Sequence, residues 1–321
     1  MKIDVIIPTY KPGEELFELL RRLARQSVPV NRVILMNTEK SYFKKLMNGR
    51  KLCEEFPFVS VRHLSKKHFD HGNTRHLGVL ASDAEIFVTL TQDAMPEDEF
   101  LLERLSQNLS GKVAVAYGRQ LPRRDCGVLE RISRQYNYPE QSVIKGKDDE
   151  KRLGIKTYFC SNVCAAYRRD VYDLLGGFVR RTIFNEDMIY AAKAIQNGWL
   201  ISYEADARVV HSHNYTCMQQ LHRNFDLGVS QAEHPEVFSR VKSEAEGKKL
   251  VKSTIMSLKD RGQADKIPYF LMQCCFKYAG YFMGKHYESL PGWMVLWLSD
   301  NKQYWKNKTK LTRKGHKTFT I

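Results

Sequence analysis

Four clusters of polar residues in this chain have the types and spacing to do chemistry. The first is Asp93, which lies just past an apolar run, Ile86 to Leu90, that Pro96 closes. A carboxylate at the carboxyl end of a strand can hold a divalent cation, and the cation a diphosphate. The same position also suits a turn or helix-capping aspartate. The second is Asn185-Glu186-Asp187 at a helix start, where carboxylates cap the helix and complement its dipole. One of them, Asp187 by preference, is placed to take a proton from an attacking hydroxyl as general base. The third is His211-Ser212-His213 at a strand end. With a period of two, both imidazoles face one side, and one of them can serve as a second protein ligand for the cation at Asp93; a hydrogen-bonded strand-end histidine fits the same position.

The fourth is His71-Gly72-Asn73-Thr74-Arg75. Gly72 lets the backbone approach a ligand, and Asn73 or Thr74 can cap the helix that follows. Arg75 then sits in the first turn, where a cation opposes the helix dipole unless an anion pairs with it; a phosphate or Asp93 would supply that anion. Thr9-Tyr10-Lys11 follows the first strand, where a nucleotide base can lodge, and Asn37 ends the second, within reach of a base or ribose. Each of these also fits ordinary turn chemistry.

The elements that must position these groups alternate. Strands are expected at Ile3–Thr9, Arg32–Asn37, Val59–His63, Ile86–Leu90, Val113–Arg119, Phe159–Tyr167, Leu200–Glu204 and Ala207–His211. Helices are expected at Glu14–Gln26, from about 40 to Phe56, at Thr74–Ala81, Asp98–Ser110, Val128–Tyr136 and Asp170–Leu175, and from Asn185 to Asn197. This predicts an α/β fold with a mixed, mainly parallel sheet flanked by helices. The polar stretch Gln120 to Tyr158 is the expected lid. After His213 the pattern is helical, with Met218–Val229, Val241–Lys259, Tyr269–Met283 and Trp293–Leu298 as candidates. The division expected is a catalytic domain over 1–215, with 1–95 binding the nucleotide sugar and 96–215 the acceptor, and a helical region over 216–321.

Composition bounds the partners. The 321 residues carry 51 − 36 = 15 net positive charges, which favours anionic partners without choosing among them. The basic and aromatic residues form no recognisable nucleic-acid motif, so nucleic acid is not an expected partner. Seven cysteines in no metal-binding spacing suggest reduced thiols and a cytoplasmic setting. The start, Met1 to Pro8, has neither an apolar h-region nor a cleavage site, and no window of 18 uncharged apolar residues occurs. The aromatic and Met-rich segment Tyr269 to Met283 and the basic stretch from Asn301 suit an anionic membrane surface, or equally a helix docked on the catalytic domain.

In order, VIIPTYK, HGNTRHLG, LTQDA, NED and HSHNY make the chain resemble the family-2 glycosyltransferases of the GT-A fold. Within that family it is similar to the rhamnosyltransferase branch, in which the DXD element takes a TQDA form; the segment Arg119 to Pro139, RQLPRRD…RQYNYP, fits too. The likeness covers roughly residues 1 to 230. It implies an inverting transfer of a sugar, L-rhamnose from dTDP-rhamnose, to a hydroxyl of a bacterial surface-glycan acceptor; the membrane-suited C-terminal segment adds the expectation of a lipid-linked acceptor at the inner face of the cytoplasmic membrane. It implies Mg²⁺ or Mn²⁺ bound by Asp93 with His211 or His213, and Asp187 as base. Thr9, Tyr10, Lys11, Asn37, His71, Gly72, Arg75, Gln92 and Asp93 would line the nucleotide sugar, and Glu186 and Arg119 the acceptor. The chain departs from the pattern at Thr91, in the first DXD slot, and at Asn37, where many relatives carry Asp. The alternatives are another donor, a UDP-hexose or UDP-N-acetylhexosamine, or a non-enzymatic basic nucleic-acid- or membrane-binding protein.

Overall fold

The computed structural model describes residues 1–239 and 243–315. Its centre is β1 (Ile3–Tyr10), which pairs in parallel with β2 (Arg32–Thr38) on one side and with the strand Ile86–Leu90 on the other. Side chains alternate across a strand, so Ile3, Val5 and Ile7 enter one core and Ile6 the other. That is why the run from Ile3 to Pro8 is apolar but for Asp4, whose buried carboxylate accepts from Asn31 Nδ2 at 2.6 Å and Ser82 Oγ at 2.7 Å: both faces are buried. Helix α1 (Glu15–Ala24) closes the first face with Leu16, Phe17, Leu19, Leu20 and Leu23.

β3 (Val59–Leu64) extends the parallel block beside β2, and α2 (His71–Leu80) crosses back to β4 (Ile86–Leu90). The short β5 (Met95–Pro96), α3 (Leu101–Ser106), β6 (Val113–Leu121), α4 (Val128–Asn137), β7 (Val143–Lys145), β8 (Cys164–Arg168), α5 (Glu186–Gln196) and β9 (Leu200–Val210) follow. The strand order is β3-β2-β1-β4-β8-β6-β9-β5, with β7 on β9. Only β3-β2-β1-β4 and the β6–β9 pair are parallel; β8 runs antiparallel to both of its neighbours. The sheet is therefore mixed, and the carboxyl ends of β1, β4, β6 and β9 share one edge with the start of β8. That edge is where an open α/β sheet binds ligands.

Several expected bounds move. The helix expected from about 40 to 56 is two, Lys40–Met47 and Leu52–Glu55. The expected helix Asp98–Ser110 shortens to α3. The two last expected strands are one, β9, whose register against β6 slips between Gly118 and Arg119. The strand expected from Phe159 begins only at Cys164. Helix α2 begins at His71, three residues before the expected Thr74, because Asp70 is its cap: Oδ1 accepts from Gly72 N at 2.9 Å and Asn73 N at 3.0 Å. The expected lid carries β7, and the buried Lys145 ties it down, donating to Lys156 O (3.0 Å), Phe159 O (2.6 Å) and Tyr117 Oη (3.0 Å).

The rest is helical: α6 (Cys217–Glu233), α7 (Ser243–Asp260), α8 (Ile267–Lys285), α9 (Gly292–Leu298) and α10 (Lys302–Gly315). The expected helix start at Val241 and Lys242 and the end of the basic tail lie outside the described residues. α6 and α8 touch backbone to backbone. A Cβ on Gly280 would stand 2.2 Å from Leu221 O, and one on Gly284 2.1 Å from Phe225 O. The core of α6 and α9, Leu221, Phe225, Val229, Val295 and Leu298, against which Phe276 and Met283 of α8 pack, takes in Ile183 from the loop that leads to α5. The helices are thus built onto the loop that carries the second polar cluster. No described helix is long and apolar enough to cross a membrane.

Candidate active site

The shared edge brings residues of all four clusters into one cavity of about 350 Å³, lined by His71, Arg75, Asp93, Glu186, Asp187, His211 and His213. Asp93 Oδ2 lies 3.4 Å from His211 Nε2 and 3.2 Å from His213 Nε2, and the two Nε2 atoms are 3.2 Å apart. The three ligand atoms can therefore meet one cation. The tautomer of His211 supports that. Arg134, which can only donate, gives a hydrogen bond to Gln120 Oε1. His211 Nδ1, 3.0 Å from the same oxygen, must then be the protonated nitrogen. Its Nε2 carries a lone pair aimed at a carboxylate, an arrangement that a cation makes favourable. Such an outer-shell partner fixes the ring of a metal-ligating histidine. Burial pushes His211 down, toward the neutral form a ligand needs. Burial opposes ionisation of Asp93, yet the His211 and His213 contacts outweigh it and hold its carboxyl well below the usual range. One carboxylate with two imidazoles is a donor set that can hold a divalent cation.

At the other wall, Asn162 holds both carboxylates of the α5 start. Its Nδ2 donates to Glu186 Oε1 at 3.0 Å and its backbone N–H to Asp187 Oδ2 at 2.9 Å. Met188 N donates to Asp187 Oδ1 at 2.8 Å. Thr89 and Tyr167 donate to Asn162 Oδ1 at 2.8 and 2.7 Å, so the amide orientation is set. Burial, reinforced by the Glu186 charge, pushes the Asp187 carboxyl up to about 7, against those two backbone donors. A base poised near neutrality is what proton transfer at neutral pH requires. Asn185, at φ 64°, does not cap α5; its Nδ2 donates to Ser230 Oγ of α6 at 3.2 Å.

Other expected positions are used differently. Arg75 pairs with Glu186 and not with Asp93: its Nη1 lies 3.0 Å from Glu186 Oε1, and both side chains are buried. That pair holds Glu186 ionised against its burial. Gly72 faces the carbonyl of Val179, which would stand 1.9 Å from an added Cβ, so its small size answers a packing need rather than a ligand. Burial pushes the His71 imidazole down to about 4. Thr9 Oγ1 donates to Asn37 Oδ1 at 3.1 Å, and Asn37 Nδ2 meets His63 Nδ1 at 3.0 Å; both Thr9 and Asn37 are buried. Gln92 clamps the end of β1, accepting from Tyr10 N at 3.0 Å and donating to Tyr10 O at 3.1 Å. Lys11 lies over the Tyr10 and Tyr42 rings. Arg119 is outside the cavity. It neighbours Gln120 on β6, so it points to the opposite face and binds Glu140 at 2.8 Å.

Sequence reasoning missed Asn162, Gln120, Arg134, Tyr215 and Arg223. Gln120 and Arg134 lie in the segment Arg119 to Pro139 that had been singled out, without a role. Arg223 lines both this cavity and a neighbouring one of about 310 Å³ that reaches Tyr10 and Lys66. It lies over the Phe184 and Tyr215 rings and has no carboxylate partner among the described residues.

The family model "Glycosyl transferase family 2" matches residues 4–176, from β1 through Asp93 to the end of the β8 unit. The chain belongs to glycosyl transferase family 2. This glycosyltransferase is 38% identical over 315 residues to the O-antigen chain rhamnosyltransferase RfbN of Salmonella typhimurium, covering 96% of this chain and 97% of that protein. It is 37% identical over 307 residues to the O-antigen chain rhamnosyltransferase WbaN of Salmonella anatum, covering 94% and 95%. Two solved structures share the fold. One is the mannosyltransferase PcManGT of Pyrobaculum calidifontis in complex with GDP-Man and Mn²⁺ (TM-score 0.53, 15% identity, 99% of this chain and 88% of that one). The other is S. aureus TarS 1-349 in complex with UDP-GlcNAc (TM-score 0.52, 17% identity, 90% and 91%).

Proposed function

We propose that this glycosyltransferase moves L-rhamnose from dTDP-rhamnose to a hydroxyl of a bacterial surface glycan, inverting the anomeric carbon in one displacement. The observation that carries this is the meeting of Asp187 and the Asp93–His211–His213 set in one cavity. The similarity to two O-antigen chain rhamnosyltransferases over nearly the whole chain supports the choice of sugar.

Asp93, His211 and His213 would hold the divalent cation, Mg²⁺ or Mn²⁺, and when bound it neutralises charge growing on the departing diphosphate. Arg223, with no carboxylate partner among the described residues, takes part of the same charge, the role first expected of Arg75. Asp187 accepts the acceptor's hydroxyl proton as that oxygen bonds to the anomeric carbon. The bond from that carbon to the diphosphate oxygen breaks, and dTDP leaves with the electron pair. Glu186 stays paired with Arg75 and keeps Asp187 basic by its charge. The half up to residue 95 serves the donor, the half from 96 to 215 the acceptor, and the helices from 216 complete the cavity.

The protein also rests on an anionic membrane surface at the cytoplasmic face. Supporting this, α8 presents Leu271, Tyr278 and Phe282 in one exposed stripe and α9 presents Trp293 and Trp297, on a chain with 15 excess positive charges. The same α8 docks on α6 by its other face, so the two readings of this segment hold together. The test of the donor is a melting-shift panel with Mn²⁺ and dTDP-rhamnose, UDP-glucose, UDP-GlcNAc and GDP-mannose. The largest shift is expected with dTDP-rhamnose; a larger shift with another sugar nucleotide overturns the assignment.

A further inference from the structure

A second, larger cavity of about 570 Å³ opens beside the catalytic one and shares His213 and Tyr215 with it. Its walls are the start of α4, the turn into α6, and one side each of α7 and α8. Apart from the α4 residues, its lining begins at His213, beyond the span that the family model matches. The span that the family model matches therefore supplies only the α4 wall, and the rest of the cavity is built by the residues from His213 onward.

The lining has two textures. Tyr215, Tyr269 and Phe270 present aromatic surface, and Ser133, Gln273 and Lys277 present donors and acceptors. Gln273 Nε2 donates to Tyr215 O and Tyr269 Oη, both at 3.4 Å, which aims the amide; its Oε1 has no donor among the described residues. Lys277 makes no hydrogen bond or ion pair within 4 Å among the described residues; burial pushes its ammonium down, opposed by the charge of Glu130 on the same cavity wall. A sugar ring has matching chemistry: apolar C–H faces that stack on aromatic rings, and a rim of hydroxyls that both donate and accept. The volume lies in the range of small-molecule sites, about 300–1,000 Å³.

We propose that this cavity is the acceptor subsite: it holds a sugar ring of the acceptor glycan and delivers its hydroxyl past Tyr215 to Asp187. This rests on the glycosyl-transfer reading above. The C-terminal helices then join the half from 96 to 215 in selecting the acceptor, while the half up to residue 95 binds the donor.

The experiment is saturation-transfer NMR on the full chain. The probes are methyl α-L-rhamnopyranoside, methyl α-D-mannopyranoside and methyl β-D-galactopyranoside, with farnesyl phosphate as the lipid control. It compares wild type with Tyr269→Ala, which removes a platform, and Ser133→Trp, which fills the cavity from a different helix. The dTDP-rhamnose melting shift is measured on all three proteins. At least one glycoside is expected to bind wild type and to lose about tenfold in affinity in both variants. The donor-induced shift should persist in both, because neither residue lines the catalytic cavity. No glycoside binding, binding unchanged in the variants, or binding of farnesyl phosphate alone at this cavity overturns the proposal. Loss of the donor shift in wild type, with glycoside binding intact, refutes the donor reading and leaves the subsite standing.

Discussion

Glu186→Gln tests how the catalytic wall is built. The substitution keeps shape and the acceptor oxygen for Asn162 Nδ2 but removes the charge that faces Arg75 at 3.0 Å, where both side chains are buried. Removing one partner of a buried ion pair costs about 3–5 kcal/mol, and the retained amide oxygen puts this case at the low end, about 3 kcal/mol. At roughly 2–4 °C per kcal/mol for a domain of this class, melting should fall by about 6–12 °C. The second effect is chemical. The Glu186 charge is the second cause, after burial, that pushes Asp187 up to about 7. Without it, Asp187 ionises at lower pH, so the acid limb of the rate profile moves down. The assay is incorporation of labelled rhamnose from dTDP-rhamnose into membranes of cells whose own copy of the gene is deleted, across pH 5 to 9, beside a melting curve. An unchanged melting temperature together with an unmoved acid limb refutes the coupling of the two carboxylates.

Three further outcomes follow from the geometry. Arg223→Ala should lower the transfer rate by about 10²-fold, as for loss of one group that stabilises transition-state charge, with little change in melting; a rate within twofold of wild type removes Arg223 from the diphosphate site. Asp93→Ala should abolish the extra donor-induced melting shift that Mn²⁺ confers, and chelator should do the same to wild type; full activity in excess chelator contradicts the cation site. Trp293→Ala with Trp297→Ala should weaken flotation with anionic vesicles, and wild-type flotation should fade at high salt; absence of wild-type flotation at low salt rules out the membrane surface.

Much of the frame was legible because local pattern and fold agree. β1 and β4 are short apolar runs buried on both faces, and α1 puts Leu16, Leu19, Leu20 and Leu23 on one side. His211 and His213 lie just past β9, which ends at Val210, yet their rings meet as the two-residue spacing suggested, and Asp93 follows the end of β4. What escaped is non-local. Arg75 and Glu186 are far apart in sequence, so their pairing left no trace in either segment. Residues Phe159 to Val163 read as strand, but Asn162 turns out of the ladder to hold Glu186 and Asp187. Asp70 was overlooked as a cap because the run HGNTR drew the helix start three residues too late. Arg223 belongs to a helix whose own periodicity says only that it packs on α8, not that one residue reaches the cavity.

The most direct test of the account is Asp187→Asn, assayed by rhamnose incorporation from dTDP-rhamnose over pH and by donor-induced melting. Because burial and Glu186 hold Asp187 near 7, the wild-type rate should rise with pH through about 7, where the carboxylate becomes the ionised base. The variant should lose about 10²–10⁴-fold in rate and that pH limb with it, while dTDP-rhamnose still raises its melting temperature. A variant that transfers rhamnose at the wild-type rate, with the same acid limb, contradicts the claim that Asp187 removes the acceptor proton.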